Sequence, residues 1–382
     1  MSEKIEITRV AAGGDGVGHI DGKVSFVPYG LPGDHVDIDI VKKEKNFMRG
    51  TIANISEPSP HRVTADCPVF EQCGGCTWLH FGYPGQAQWK QQIVQDSFKR
   101  IGRLDVDVTW VDDESLRTGY RTRATFRSVE GKWGFLEEKS HRVVPIDACP
   151  LLHPNLNAAV DKLQGVSMDA SVEITVNPEG DDCLVWTKVP QPKLEERFGS
   201  CNAEQQEGEL HGFLFDGTPI VNGCFSQSSL LLNRMLVNVV DRCIDTSESI
   251  LDLYCGSGNF TLHYAKNSEL VGIDQTIPAI EAAAQLAPNA YFPGDEAVMS
   301  SWIQNKAWDT IVLDPPRVGA KAIVDALAKC KASQIVYISC DPATLARDVR
   351  TLSESDWNVH SVTAVDMFPN TSHIETVCVL RR

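Results

Sequence analysis

From about residue 228 onward, short apolar runs alternate with stretches of helical period, and no other feature of the chain constrains its fold so tightly. The pattern predicts helix 228–242, strand 249–254, helix 258–266, strand 269–273, helix 277–286 and strands 290–292 and 309–313. Helix 319–330, strand 334–339 and helix 342–353 follow, and strands 359–366 and 375–381 close the pattern. Strands separated by helices pair in parallel, since each crossover returns the chain to the same end of the sheet. The expectation is therefore a mainly parallel, doubly wound α/β sheet, with ligands along the edge where its strands end.

Three motifs fall on that edge. In "LDLYCGSGNF" (251–260), Gly256 and Gly258 lie between a strand and a helix, where the backbone can approach a ligand closely. Asp274 ends the next strand, at the position where an acid accepts hydrogen bonds from ribose hydroxyls. The full G-x-G-x-x-G is absent because Thr261 takes the last place, which favours S-adenosylmethionine over a dinucleotide. In "IVLDPPRVGA" (311–320), Asp314 ends a strand and two prolines stiffen the turn. An aromatic residue after the prolines would suggest methylation of an exocyclic amine, with the ring stacked on a base, but Arg317 stands there.

The third motif is "YISCDPATLARD" (337–348), in which Cys340 tips a strand just before a helix. Asp341 is a good N-cap and Pro342 suits the first helical position. The positive end of that helix is expected to favour the thiolate. Glu375 and His373 begin the last strand and are the candidate bases. If that strand runs antiparallel to its neighbours, Cys340, Asp314 and Glu375 converge on one cleft.

The N-terminal part reads differently. Residues 5–60 alternate apolar residues with Gly and Pro turns, the pattern of a small antiparallel barrel. Residues 57–62 read as a linker, 84–104 as a helix, and 120–200 as strands and turns of a second, sheet-rich unit. The domains expected are 1–60, 61–219 and 220–382, with helix 84–104 able to pack on the last. The first residues lack a signal-peptide pattern and no run of about 18 apolar residues occurs, so the expected location is the cytoplasm. The net charge of −16 argues against a nucleic-acid partner, but it is unevenly spread. Residues 1–150 hold 19 basic and 21 acidic side chains, against 16 and 30 in the rest. Lys42, Lys43, Lys45 and Arg49 form one basic run, and Arg117, Arg121, Arg123 and Arg127 another.

Twelve cysteines in a cytosolic chain point to metal or catalysis before disulfides. "CPVFEQCGGC" supplies Cys67, Cys73 and Cys76, and Cys149 is the natural fourth thiolate. By chemistry alone the set suits zinc and an iron–sulfur cluster equally. Cysteines 183, 201, 224, 243, 255, 330 and 378 are scattered and read as structural.

Taken together, "SCDPATLARD", "HIE" (373–375), "LDPPRVGA" and "LDLYCGSGNF" resemble the bacterial RNA 5-methyluridine methyltransferases, and the resemblance extends over essentially the whole chain. It implies a Rossmann-like S-adenosylmethionine-dependent domain preceded by a small OB-like RNA-binding barrel, the TRAM domain, and a central α+β domain. It implies Cys340 as nucleophile and Glu375 as general base, with His373 in a supporting place. Gln227, Tyr254, Asn259, Asp274 and Asp314 would line the cofactor and uracil pocket, and Asp295 would make a further cofactor contact. Cys67, Cys73, Cys76 and Cys149 would hold a [4Fe-4S] cluster. The barrel and the cysteine loop together favour 23S ribosomal RNA over tRNA as substrate, for an enzyme expected to be a monomer. Asp341 departs from the asparagine often found in the family. Two other readings are an exocyclic-amine methyltransferase built on Asp314-Pro-Pro and a non-enzymatic RNA-binding iron–sulfur protein.

Overall fold

The computed structural model describes residues 3–189, 191–199, 211–244 and 247–382. The chain begins with six strands, β1 (Glu3–Glu6), β2 (Arg9–Val10), β3 (Gly16–Ile20), β4 (Lys23–Val27), β5 (His35–Lys43) and β6 (Phe47–Glu57). They form one sheet in the order β1-β5-β6-β4-β3-β2, antiparallel except where β4 meets β6. Alternate residues of these strands, Ile5, Val36, Ile38 and Met48 among them, turn inward and make its core.

Helix α1 (Tyr83–Ser97) continues through a wider π-type turn at Phe98–Gly102 into β7 (Val108–Val111). Strands β8 (Arg123–Val129), β9 (Lys132–Leu136) and β10 (Val143–Pro145) follow, then α2 (Pro154–Leu163), β11 (Ser171–Val176), β12 (Cys183–Trp186) and α3 (Pro192–Phe198). Strands β8 to β12 make an antiparallel sheet in the order β10-β9-β8-β11-β12, packed on α2 around Phe126, Trp133, Leu156 and Val172. A hairpin, β13 (Gly212–Phe215) with β14 (Thr218–Val221), leads into α4 (Leu230–Ile244).

The C-terminal elements are β15 (Ser249–Leu253), β16 (Glu269–Asp274), α5 (Ile277–Leu286), β17 (Tyr291–Pro293), α6 (Glu296–Asn305), β18 (Thr310–Leu313), α7 (Val324–Lys329), β19 (Gln334–Ser339), α8 (Pro342–Ser353), β20 (Asn358–Val365) and β21 (Glu375–Arg381). Eight strands form the sheet β17-β16-β15-β18-β19-β21-β20-β7. The first five are parallel, and β21 runs antiparallel to both β19 and β20. The pleat sorts side chains between two faces. Leu251, Ile311, Ile335 and Leu313 pack with α1, α6, α7 and α8, while Ile250, Val312, Val336 and Val377 pack with α4 and α5.

Three expectations require correction. Residues 258–266 do not form an α-helix; turns follow Gly256 and end in a short 3₁₀ segment, Leu262–Lys266. The cause is Thr261, whose hydroxyl donates to buried Asp252 (2.5 Å) and lies 3.1 Å from the Tyr291 hydroxyl, holding the chain inward. The helix expected at 319–330 shortens to α7 because Ala320 N–H is held by the Asp348 carboxylate (2.8 Å) and the Tyr337 hydroxyl (2.9 Å). Strand β7 was not foreseen as part of the large sheet, yet it pairs in parallel with β20 from about 250 residues earlier in the chain.

The loop from Asp366 to Ile374, which delivers the chain into β21, is tied down from several sides. Lys90 of α1, fully buried, donates to Asp366 (2.7 Å) and to the Phe368 carbonyl (2.9 Å), and Tyr83 donates to the other Asp366 oxygen (2.7 Å). Tyr120 donates to the Pro369 carbonyl (2.9 Å), and Trp78 N–H to that of Asn370 (3.1 Å). Among the described residues, no helix is long and apolar enough to cross a membrane.

Candidate active site

The site lies where β15, β16, β18 and β19 end and β21 begins. The register sets it: Ser339 pairs with Thr376, so Cys340 and Glu375 leave the sheet side by side. Asp341 caps α8, accepting from Ala343 N–H and Thr344 N–H at 2.9 Å each, which turns its charge toward the helix. Asp314 follows β18 on the same edge. Together these residues border a cleft of about 490 Å³ that also takes in Gln227, Tyr254, Asn259, Asp274 and Arg317.

The glycine loop shapes the wall beneath. Gly258 has φ +83°, and a Cβ there would lie 2.6 Å from the Tyr291 hydroxyl, so no other residue fits. Tyr254 holds φ +59°, a left-handed conformation that costs a non-glycine residue roughly 1–2 kcal/mol. Asp274 accepts from Gly256 N–H (3.0 Å) and Thr276 N–H (2.7 Å), fixing the loop to the end of β16. Asn259 and Asn233 exchange side-chain amide bonds of 2.7 and 3.1 Å.

Electrostatically the cleft is crowded with acids. Burial pushes the Asp314 carboxyl up to about 7 and the Asp252 carboxyl up to about 8. Burial, and then Asp314, hold Glu375 well above the carboxylate range, with Arg317 opposing. The Cys340 thiol is pushed up to about 11 by burial, then by Glu375 and Asp314, against the pull of Arg317. This runs against the expectation of a thiolate favoured by the helix end, because burial, and then two nearby carboxylates, outweigh a helix dipole.

A family model described as tRNA (Uracil-5-)-methyltransferase matches residues 218–290 and 300–382, and a TRAM domain model matches residues 3–53. An uncharacterized RNA methyltransferase of Gloeobacter violaceus is 31% identical over 99% of this chain and 96% of its own length. The 23S rRNA (uracil(1939)-C(5))-methyltransferase RlmD of Shewanella amazonensis is 31% identical over 98% of this chain and 95% of its own. The chain belongs to the RNA (uracil-5-)-methyltransferase family. The crystal structure of Pyrococcus abyssi tRNA (uracil-54, C5)-methyltransferase, in complex with S-adenosyl-L-homocysteine, is similar over 98% of this chain and 99% of that one. Its TM-score is 0.75 and its identity 25%.

Not every expected residue of this methyltransferase reaches the cleft. Asp295 is absent from its lining; the carboxylate accepts from Ala297 N–H (3.0 Å) and Val298 N–H (3.1 Å) and so caps α6. The signal was present in "GDEAVMSSW", an acid before an amphipathic run. His373 faces an adjoining recess, where desolvation, Arg317, Lys90 and Arg121 lower its pKa to about 4 and keep it neutral. Arg317, Phe225 and Phe368 line the cleft and were not foreseen as site residues. Arg317 was legible from its place after the two prolines; nothing local marked the two phenylalanines.

Cys67, Cys73, Cys76 and Cys149 are free thiols bordering one apolar cavity with Val69, Phe70 and Leu151. Burial raises the pKa of Cys73, Cys76 and Cys149, and their neighbouring cysteines add to the effect. Among the described residues, no three Cys, His, Asp or Glu side chains are drawn together around a single ion. Of the remaining cysteines, 224, 255, 330 and 378 are buried and 183 and 243 half-buried, while Cys201 lies outside the described residues.

Proposed function

We propose that this methyltransferase acts on C5 of a uridine in RNA through a covalent Cys340 adduct, with Glu375 as general base and 23S ribosomal RNA as the favoured substrate. The observation that carries the reading is the meeting of Cys340, Asp314 and Glu375 in one cleft with the glycine loop. Uracil C5 is a poor nucleophile. Cys340 gives up its thiol proton to solvent as its sulfur adds to C6, and the addition makes C5 an enolate carbon, able to attack an electrophilic methyl group. S-adenosylmethionine, when bound, supplies that group, and Gln227, Tyr254, Asn259, Asp274 and Asp314, which border the cleft, would hold it and the uracil. After transfer, Glu375 takes the C5 proton, the C6–sulfur bond breaks, and Cys340 is released. A carboxylate held above its ordinary pKa is the stronger base for that step. The ring must be attacked on its face, so the uridine leaves its stack to enter the cleft.

Several findings support the substrate. The TRAM match and the RlmD relatives favour 23S rRNA; the Pyrococcus neighbour, a tRNA enzyme, keeps tRNA as the second reading. The four thiols fit an iron–sulfur cluster by donor chemistry. Cys67, Cys73, Cys76 and Cys149 would hold it, and its contribution would be to brace the loop that carries Thr77 and Trp78. The test of the reaction uses 5-fluorouridine-containing 23S rRNA and tRNA with S-adenosylmethionine. A covalent protein–RNA adduct that survives denaturation and is missing in Cys340→Ala supports the mechanism, and the RNA that traps names the substrate. Wild type without any adduct, or an equal adduct from the variant, defeats it.

A further inference from the structure

A second recess, about 470 Å³ in volume, opens beside the first and shares Cys340, Arg317 and Phe368 with it. It is lined by the Gly74-Gly75 turn of the cysteine loop, by Thr125 and Arg127 of strand β8, and by Arg121 just before that strand. In a chain with net charge −16, no Asp or Glu is among the described residues lining it.

The arginines of the recess carry no acid partner. In the second basic run, Arg117 pairs with Asp112 and Glu114, and Arg123 with Glu173. Arg127 and Arg317 form no salt bridge or side-chain hydrogen bond among the described residues, and Arg121 forms no salt bridge there but donates through Nε to the Arg123 carbonyl (3.0 Å), leaving its terminal nitrogens open. In the same recess the Ser228 hydroxyl has no hydrogen-bond partner within the protein. Phe135 and Phe368 add apolar ring surface. Unpaired guanidinium groups, a spare hydroxyl and aromatic surface in one concavity match the chemistry of a nucleotide: phosphate, sugar or base edge, and a stacking face.

We infer that this recess holds the nucleotide next to the target uridine, unstacked, with its phosphate on Arg127 and Arg121 and its base against Phe135. The inference rests on the proposed reaction, since the shared wall at Cys340 makes the recess continuous with the place where the uracil reacts. The substrate it implies is a single-stranded stretch from which at least two neighbouring bases turn out; duplex cannot present them. Target choice is then read partly in this recess, away from the methyl donor.

The experiment uses the full chain and a fluorescently labelled single-stranded uridine dodecamer, with affinity measured between about 50 and 200 mM salt. Arg127→Ala is expected to weaken binding several-fold and to reduce the slope of log K against log salt by about 0.7, the contribution of one single-strand phosphate. Arg127→Lys restores the slope because any cation serves a phosphate. Phe135→Leu weakens binding by about 5-fold or more with the slope unchanged, as loss of stacking requires. S-adenosylhomocysteine binding by calorimetry stays at the wild-type value in all three variants. If Arg127→Ala and the double Arg121→Ala/Arg127→Ala variant keep both wild-type affinity and slope, the recess is not a nucleotide site. The fluorinated-RNA adduct keeps the two readings apart. An adduct with no arginine-dependent slope overturns the recess alone, and an arginine-dependent slope without any wild-type adduct overturns the reaction while the recess still binds RNA.

Discussion

Ser339 and Thr376 face each other across the antiparallel seam between β19 and β21, and Cys340 and Glu375 are the next residues outward on their strands. A nucleophile candidate and a base candidate 35 positions apart in the chain thus share one sheet edge through backbone register. Neither side chain relies on a flexible loop for its place, since α8 begins directly after Cys340 and β21 directly at Glu375.

That seam separates the roles of the two residues by experiment. With ordinary RNA and methyl donor, Glu375→Gln should methylate once and then stall, because the C5 proton stays in place and the C6–sulfur bond cannot break. A covalent protein–RNA band should accumulate on a denaturing gel while turnover falls about 100- to 10,000-fold, the usual contribution of a general base. Cys340→Ala should give neither band nor product. A Glu375→Gln protein that turns over without an adduct would place the base elsewhere.

The acids around Cys340 make a second, less intuitive prediction. Burial, and then the negative charges of Glu375 and Asp314, disfavour the thiolate and hold Cys340 up at about 11. Removing one carboxylate should lower that value, so Glu375→Gln and Asp314→Asn should be alkylated by iodoacetamide faster than wild type at pH 8, though both lose activity. Arg317→Ala should be alkylated more slowly. In wild type, labelling should keep rising with pH past 9, as expected of a thiol half-ionised near 11. Mass spectrometry of the Cys340 peptide measures each rate, and slower labelling in the carboxylate variants would contradict the charge arrangement.

Much of the large sheet was legible because local signals agreed with the global fold. Strand β19 and helix α8 match their expected limits: Asp341 caps, Pro342 starts the helix, and Leu345, Val349 and Leu352 supply its apolar stripe. Helix α5 was equally plain. The gathering of Cys340, Asp314 and Glu375 followed from one topological condition, an antiparallel last strand, which the sequence could pose but not settle. What escaped was non-local or ambiguous. Strand β7 is four residues long, and only its pairing with β20 gives it meaning. Thr261 looked like a helix residue because its hydrogen bonds to Asp252 and Tyr291 lie 9 and 30 positions away. Asp295 carries the signature of a cap, and it caps α6. Phe368 enters the cleft because Lys90 and Asp366 fix the loop around it, a relationship spanning 276 residues.

The Lys90–Asp366 pair is itself open to test. Both side chains are fully buried, and Asp366 also accepts from Tyr83. Replacing Lys90 by Met removes the charge and leaves a buried carboxylate uncompensated, which typically costs about 3–5 kcal/mol. Lys90→Met should therefore lower the denaturant midpoint strongly, and hydrogen exchange in residues 366–374 should quicken beyond that in β8 or β11. Because Glu375 follows that loop, turnover should fall even at temperatures where the variant remains folded. An unchanged midpoint would mean the pair is not buried as described.

The cysteine loop reaches the same segment from the opposite side. Ser372 N–H donates to the Thr77 hydroxyl at 3.0 Å, and Trp78 N–H donates to the Asn370 carbonyl at 3.1 Å, one and two residues after Cys76. A group bound by Cys67, Cys73, Cys76 and Cys149 would hold Thr77 and Trp78 against the loop that leads to Glu375. Protein purified without oxygen should carry about four iron atoms and as many sulfides per chain, with broad visible absorption. Cys73→Ser should lose most of the iron and the absorption. The same variant should exchange amide hydrogens faster at residues 370–374 than wild type, while α6, on the sheet face opposite Cys76 and Cys149, keeps its protection. Iron content near zero in anaerobically purified wild type would remove the cluster from the reading, and loss of iron without faster exchange at 370–374 would show that the loop is braced by other contacts.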